Sequence, residues 1–196
     1  MTPYIHLHHL RRLACTRRYH TEHFIGENTV GHHSSCVALI LMATVPACSM
    51  NLLQAALLHD LEEGETGDIP APTKMICRDI SRLEQAVRNF YDIESPKLTD
   101  IEILQLRAAD FLDNAFICRD QRMMGNQFID WVFDKYLKYS KDVFNEAAVS
   151  DPGLNAMKGV WLQLRNDYRH LAQGENPPLL NDTPSFDFSK YDNEQV

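Results

Sequence analysis

Apolar positions in this chain recur every three or four residues almost from end to end, the period of an α-helix with one buried face. Ile5, Leu7, Leu10, Leu13 and Ala14 outline a first amphipathic helix. Residues 18–31 interrupt the pattern with Gly26, Gly31 and many polar side chains, and read as a long loop of the kind that carries function. From Ser34 to Val45 the chain is apolar until Pro46 stops it, and Ser49 or Asn51 stands where it could cap the next helix. That helix (Leu52, Leu53, Ala55, Ala56, Leu57, Leu58) ends on His59-Asp60. Gly64 to Thr73, with two glycines and two prolines, reads as loop. A further helix is expected over Met75 to Asp92, with Ser95-Pro96 breaking it. Thr99 with Glu102 has capping-box spacing for a helix reaching about Cys118, and two more are expected near Gln127 to Ala147 and Leu154 to Leu171. Strand-like alternation and internal repeats are both missing. The expected architecture is all-α, a single compact helical bundle over residues 1–172, with a proline-containing tail at 173–196 lying over the surface or disordered.

Composition narrows the function classes. A chain of 196 residues suits one domain with its own core. The net charge of -8 and the lack of a basic stripe argue against a nucleic-acid polymer as partner, so an anionic ligand must be held by local cations or a metal. The five cysteines (Cys15, Cys36, Cys48, Cys77, Cys118) are odd in number and have no Cys-x-x-Cys spacing, which fits packed, reduced thiols. No apolar run approaches the ~20 residues needed to span a bilayer. The N-terminal stretch MTPYIHLHHLRR has charges and histidines where a signal peptide needs an apolar core. No membrane association and a cytoplasmic location are expected, the host cytoplasm if a phage encodes the chain.

The candidate chemistry begins at His59-Asp60-Leu61-Glu62-Glu63. Burying an imidazole beside a carboxylate at the end of a core helix is costly unless a partner compensates, and a divalent metal is the usual one. Taken alone, a polar helix end after a core helix explains the pair equally well. Two other positions change that balance. His33 opens the apolar helix after the long loop, and Asp110 lies inside the otherwise apolar run LRAADFLDNAF. His33, His59, Asp60 and Asp110 form a set of two imidazoles and two carboxylates from three helices. Mixed nitrogen and oxygen ligands suit Mn, Fe, Co, Ni or Zn better than Mg or Ca as the principal ion, with open positions for water and a phosphate oxygen and room for an additional Mg. Glu63, one helical turn past His59, leans over the same surface. Glu62 is expected to be solvated, His32 exposed or behind the site, and His6, His8 and His9 on the surface. His20 and His23 lie on a polar loop within reach of a pocket. Trp131, Phe133 and Tyr136 have the spacing of core or subunit-contact residues.

An early His, a His-Asp pair ending a helix and an isolated Asp in a later helix resemble the pattern of HD-domain phosphohydrolases. RRYH at 17–20, TVGHHS at 29–34, HDLEEGETGDIPAPTK at 59–74 and AAD at 108–110 look like the YfbR-type 5'-deoxynucleotidases and the phage-borne dATP triphosphohydrolases (DatZ-like enzymes). The similarity covers roughly residues 1–120. One departure is Tyr19, where the nucleotidases typically carry Trp. The resemblance implies metal ligands at His33, His59, Asp60 and Asp110, with Glu63 and Asp68 serving the attacking water and the leaving oxygen. It also implies that Arg18 and Lys74 hold phosphate oxygens and that Tyr19 contacts sugar or base. The substrate would be a deoxynucleotide cleaved at its α-phosphorus, and the enzyme a homo-oligomer, dimer or hexamer. A dATP-preferring triphosphohydrolase is expected ahead of a dNMP 5'-nucleotidase. Two other readings compete: a nucleotide-binding HD module without turnover, and a phosphodiesterase of cyclic or linear dinucleotides. Intact Glu63 and Asp68 argue against the first, and the single compact domain without a partner module against the second.

Overall fold

The computed structural model describes residues 3–77, 79–144, 150–175 and 177. Its helices are α1 (Pro3–Arg12), α2 (Val30–Thr44), α3 (Met50–Leu58), α4 (Glu63–Thr66), α5 (Ala71–Ile76), α6 (Ile80–Tyr91), α7 (Asp100–Met123), α8 (Asp130–Val143) and α9 (Pro152–Ala172), with a 3₁₀ turn at Gln127–Ile129 before α8. No strand occurs among the described residues; one isolated bridge joins Arg17 to Thr29. The all-α expectation holds.

Short polar caps place the helix starts. Thr29 accepts the His32 N–H, so α2 begins four residues earlier than the apolar run alone suggests. Ser49, rather than Asn51, caps α3 through the Leu52 N–H. Thr99 and Glu102 form the expected reciprocal capping box on α7, which runs on to Met123. The single helix expected over Met75 to Asp92 is instead two, α5 and α6, with Cys77 in extended backbone after α5. Pro72 sits in the first turn of α5, where its missing N–H has no helical partner to lose, so the loop expected over Gly64 to Thr73 is helical at both ends. Residues 145–147 of the predicted α8 and nearly all of the predicted tail lie outside the described residues.

The 24-residue α7 is the axis, packed by α2, α3, α8 and α9. Ala56 on α3 and Ala108, Ala109 and Ala115 on α7 let backbones approach closely, while Leu41, Leu52, Phe111, Leu112, Phe133, Met157 and Trp161 fill the space between. Each such fully buried large side chain contributes about 1.5–3 kcal/mol. Phe133 stacks on Tyr168 at 3.6 Å and Tyr136 packs edge-on against Phe111 at 5.7 Å, both as core residues. Trp131 is 44% exposed, with Lys135 Nζ 3.5 Å from its ring centre.

A smaller cluster of Leu13, Val30 and Leu61 joins α1 to the start of α2 and to the turn before α4. A Cβ on Gly31 would lie 3.1 Å from the Ala14 backbone, so a glycine is what lets α2 start against the end of α1. The bonds Arg18 N–H to Asn28 O (2.9 Å) and Val30 N–H to Thr16 O (2.9 Å) close the neck of the intervening loop. That closure holds Arg18, Tyr19 and His20 over the bundle.

Candidate metal centre

The end of α3 builds the centre. His59 Nδ1–H donates to the Ala56 carbonyl (2.8 Å), an acceptor that a continuing helix would need for itself. The chain then tightens into turns with Leu61 N–H on Leu58 O, Glu63 N–H on Asp60 O and Gly64 N–H on Leu61 O. Glu63 therefore opens the separate short helix α4 instead of following His59 on one continuous helix. On α2, the fully buried His33 Nδ1–H donates to Asp113 Oδ2 at 2.6 Å. Both rings thus spend their Nδ1 protons on fixed acceptors and present bare Nε2 atoms to the same point.

Those two Nε2 atoms are 3.2 Å apart. Asp110 Oδ1 lies 3.0 Å from His33 Nε2 and 4.0 Å from His59 Nε2; Asp60 Oδ2 lies 3.3 Å from His59 Nε2 and 3.9 Å from His33 Nε2. Four acceptor atoms converging in this way repel unless a cation or proton sits among them. Metal bonds of about 2.0–2.2 Å place adjacent ligand atoms roughly 3 Å apart and opposed ones roughly 4 Å apart. The measured separations fall into those two groups, so the residues fit a divalent ion. His33, His59 and Asp60 each offer one ligand atom within 4.8 Å of the others. Burial of His33 opposes its protonation, but with no cation present hydrogen bonds to Asp110 and Asp113 outweigh it and raise its pKa, a proton on Nε2 then standing where the ion would. Burial acts to raise the Asp110 pKa; the His33 hydrogen bond and the nearby positive charges overcome it and hold the carboxyl well below the usual range.

Asp113 and Asn114 were not singled out from sequence. Asp113 had a signal, since it is a second carboxylate in the same apolar run as Asp110, one helical turn on. Asn114 had none. Its amide donates to the Asp110 backbone carbonyl (2.8 Å) and to Asp110 Oδ1 (3.0 Å), which aims its own oxygen at Arg18 Nη2 (3.2 Å) and Tyr19 O–H (2.6 Å). One amide therefore links a metal-ligand candidate to both loop residues. Arg18 Nη1 is buried with no protein partner among the described residues. Tyr19 has φ of 58°, in the left-handed region; its ring stacks on Phe24 at 5.2 Å and its N–H donates to Asp68 Oδ2 at 3.1 Å.

The carboxylates stand beside this arrangement. Glu63 is buried, with Oε1 accepting from Lys74 Nζ (3.1 Å) and Oε2 unpartnered. Burial, then the charge of Asp60, pushes its carboxyl up to about 7 against the pull of Lys74. Lys74 also lies 3.6 Å from Glu84, so carboxylates on two sides engage it. Asp68 faces His20 Nδ1 at 3.5 Å, and Glu63, Asp68 and His20 line a cavity of about 450 Å³ with Arg12 and Arg17. The structure thus gathers His33, His59, Asp60 and Asp110 at one point, with Arg18 and Tyr19 tied to it through Asn114. Glu63 and Lys74 form a pair of their own, and Asp68 is held by the Tyr19 backbone. A second cavity, of about 630 Å³, lies where His23 and Phe24 meet Gln127 and Phe128. Phe24, which lines this cavity, is the ring stacked on Tyr19.

Two expectations are corrected. Glu62 is buried, not solvated, and hydrogen-bonds Arg88 of α6. His9 is also buried, not on the surface: it stacks on Tyr91 at 3.7 Å and faces Glu65 Oε1 at 3.3 Å. His32 is exposed, as expected, and lies against Asn28 and Cys36. His8 is exposed, and the side chain of His6 lies outside the described ones.

A sequence profile for the HD domain matches residues 10–97, a span that holds His33, His59 and Asp60 but stops before Asp110. No curated protein matches the chain. Among solved structures, the chain is similar to the Cyanophage S-2L HD phosphohydrolase (DatZ) bound to dA and one catalytic Zn2+ ion. The TM-score is 0.52 at 12% sequence identity, covering 88% of this chain and 98% of that one. The all-α bundle described above is therefore the fold of an HD domain.

Proposed function

We propose that the chain is a metal-dependent phosphohydrolase of deoxynucleotides, specifically a dNTP triphosphohydrolase preferring dATP. The observation that carries the metal-dependent part is the pair of bare Nε2 atoms 3.2 Å apart, flanked by two carboxylates. The HD-domain match and the likeness to a phage phosphohydrolase bound to dA and Zn2+ support the nucleotide part.

His33, His59, Asp60 and Asp110 would hold the ion. Bound there, a divalent cation polarises phosphate oxygens and makes water more acidic. The chain's own groups do the rest. Arg18, braced through Nη2 by Asn114, turns its unpartnered Nη1 donor to a phosphate oxygen. Glu63, with one oxygen on Lys74 and the other free, takes the proton from the water that attacks the α-phosphorus. Asp68, beside His20, serves the departing 5' oxygen by holding a water that protonates it. Tyr19, its hydroxyl committed to Asn114, offers a ring face or edge to the sugar or base. Attack at the α-phosphorus releases triphosphate from a dNTP and phosphate from a dNMP through the same groups.

One observation favours a dNMP 5'-nucleotidase as the second reading. Lys74 is engaged by Glu63 and Glu84, which leaves fewer cations to neutralise a triphosphate. Incubation with each dNTP and dNMP, with Mn2+ or Co2+ and with EDTA, followed by anion-exchange chromatography, decides between them. Deoxyadenosine and intact triphosphate from dATP, lost in EDTA, are expected. Turnover of dNMPs alone moves the protein to the nucleotidase reading, and no turnover of either defeats the enzyme reading.

A further inference from the structure

Arg88 reaches the metal-ligand turn from behind. Its Nε donates to Glu62, its Nη2 to the Leu58 carbonyl (3.0 Å) and the His59 carbonyl (3.3 Å), and its Nη1 to Ser95 Oγ (3.2 Å). Its side chain is 13% exposed and that of Glu62 is 8% exposed. Leu58 and His59 are the last residue and the C-cap of α3, where helical carbonyls lose their intrahelical partners, and a cation is favourable there. Glu62 stands at the other end of the turn, immediately before α4. A single planar guanidinium therefore binds both ends of the Asp60-Leu61 segment. A lysine ammonium on a flexible stem cannot hold three acceptors in one plane in this way.

We propose that the buried Arg88–Glu62 pair sets the geometry of the ligand turn, making Arg88 a positioning residue for cation binding by His59 and Asp60. This rests on the metal reading above. The argument is one of tolerance: metal–ligand distances must hold within about 0.2 Å. Asp60 sits on a turn whose own backbone bonds are all short-range, Leu58 to Leu61 and Asp60 to Glu63. Leu61, buried against Leu13 and Val30, and the His59 ring on the Ala56 carbonyl anchor parts of the turn. Without the guanidinium, the Leu58 and His59 carbonyls and the Glu62 carboxylate lose the one donor group they share, and the peptide that carries Asp60 is freer to rotate.

The test titrates Mn2+ into metal-free wild type, Arg88→Lys and Glu62→Ala by calorimetry, and records visible spectra of the Co2+-loaded proteins. Ser95→Ala serves as control because it removes only the outer Nη1 bond. Outer contacts of ligands typically change metal affinity by about 10–100-fold. Mn2+ affinity at least tenfold weaker in Arg88→Lys and Glu62→Ala, with altered Co2+ bands and an unchanged control, is the expected result. Glu62→Gln, which keeps an acceptor for Nε, recovers most of the affinity. Because a merely structural role lowers the melting temperature without changing the Co2+ bands, variants that melt earlier yet keep wild-type affinity and spectrum overturn the proposal alone. Wild type that binds no Mn2+ defeats the metal reading and this proposal together. Glu62→Ala carries the comparison if Arg88→Lys does not fold.

Discussion

Asp113→Asn separates a metal centre from an ordinary buried polar cluster. Asp113 accepts the His33 Nδ1 proton at 2.6 Å in a buried setting, and that bond is what leaves His33 Nε2 bare. Asparagine keeps the size but can turn its NH2 toward Nδ1, which moves the imidazole proton to Nε2 and closes the ligand atom; a tautomer error of this kind disables other imidazoles held by a carboxylate. Loss of such a second partner weakens metal binding by about 10–100-fold, or roughly 1.4–2.7 kcal/mol. The charge-assisted bond itself is worth about 1.5–3 kcal/mol to the fold, so some loss of melting temperature accompanies it. Calorimetric titration of Mn2+ gives the affinity, and long-range 15N–1H correlation of the His33 ring in the metal-free protein gives the tautomer. At a pH where the His33 imidazolium has lost its second proton, wild type should show Nδ1–H and the variant a large Nε2–H fraction with a weaker Mn2+ isotherm. A variant that binds Mn2+ within twofold of wild type while its tautomer has switched would refute the reasoning, because His33 would then not be a ligand.

Other predictions follow from the same geometry. The carboxyl of Glu63, raised to about 7 from its usual 4.5, favours the protonated form in the native state, so its stabilising contribution is whole below pH 4.5 and fades as pH rises through 7. Glu63→Gln should therefore melt higher than wild type at pH 8 with the gap closing toward pH 4.5, while phosphohydrolase activity falls at least about a hundredfold; a variant keeping a tenth of the activity removes Glu63 as the base. In wild type, activity should climb with pH along a limb at or below about 7, since a bound cation can only draw that value down. Arg18→Lys loses the planar fork that Asn114 braces and should raise KM about tenfold or more while Mn2+ affinity stays within threefold, which steady-state kinetics with calorimetry can check. Gly64→Ala places a Cβ 3.2 Å from His9 Cε1 and 3.3 Å from Leu13 Cδ2, so calorimetric melting should show a loss of about 1–3 kcal/mol.

How much was legible in the sequence depended on how local the cause was. Thr99 and Glu102 cap α7 by contacts three residues apart, and the spacing alone foretold them. His33, His59, Asp60 and Asp110 were visible because each is a polar group in an apolar stretch, which needs a reason wherever it occurs. Asp113 carried the same signal and was passed over. Glu62 and His9 were misplaced because their partners, Arg88 and Tyr91, are distant in sequence and nothing near either residue announces them. The break between α5 and α6 was missed because helical periodicity continues through Cys77 while its backbone does not.

The sequence by itself determined the class of the fold and singled out His33, His59, Asp60 and Asp110 as candidates for one site. Periodicity is a property of consecutive residues, and a charge in an apolar run is improbable whatever the fold. Only the tertiary structure decided the atoms. It turned both Nε2 atoms inward by giving each Nδ1 proton an acceptor, tied Arg18 and Tyr19 to Asp110 through one amide, and braced the His59–Asp60 turn with a guanidinium from α6. The bonds of His33 to Asp113, of Arg18 and Tyr19 to Asn114 and of Arg88 to Leu58 span 30 to 96 residues and are set by how helices pack. Those of His59 to Ala56 and Asn114 to Asp110 are local bonds whose direction matters only once the packing has brought their partners together.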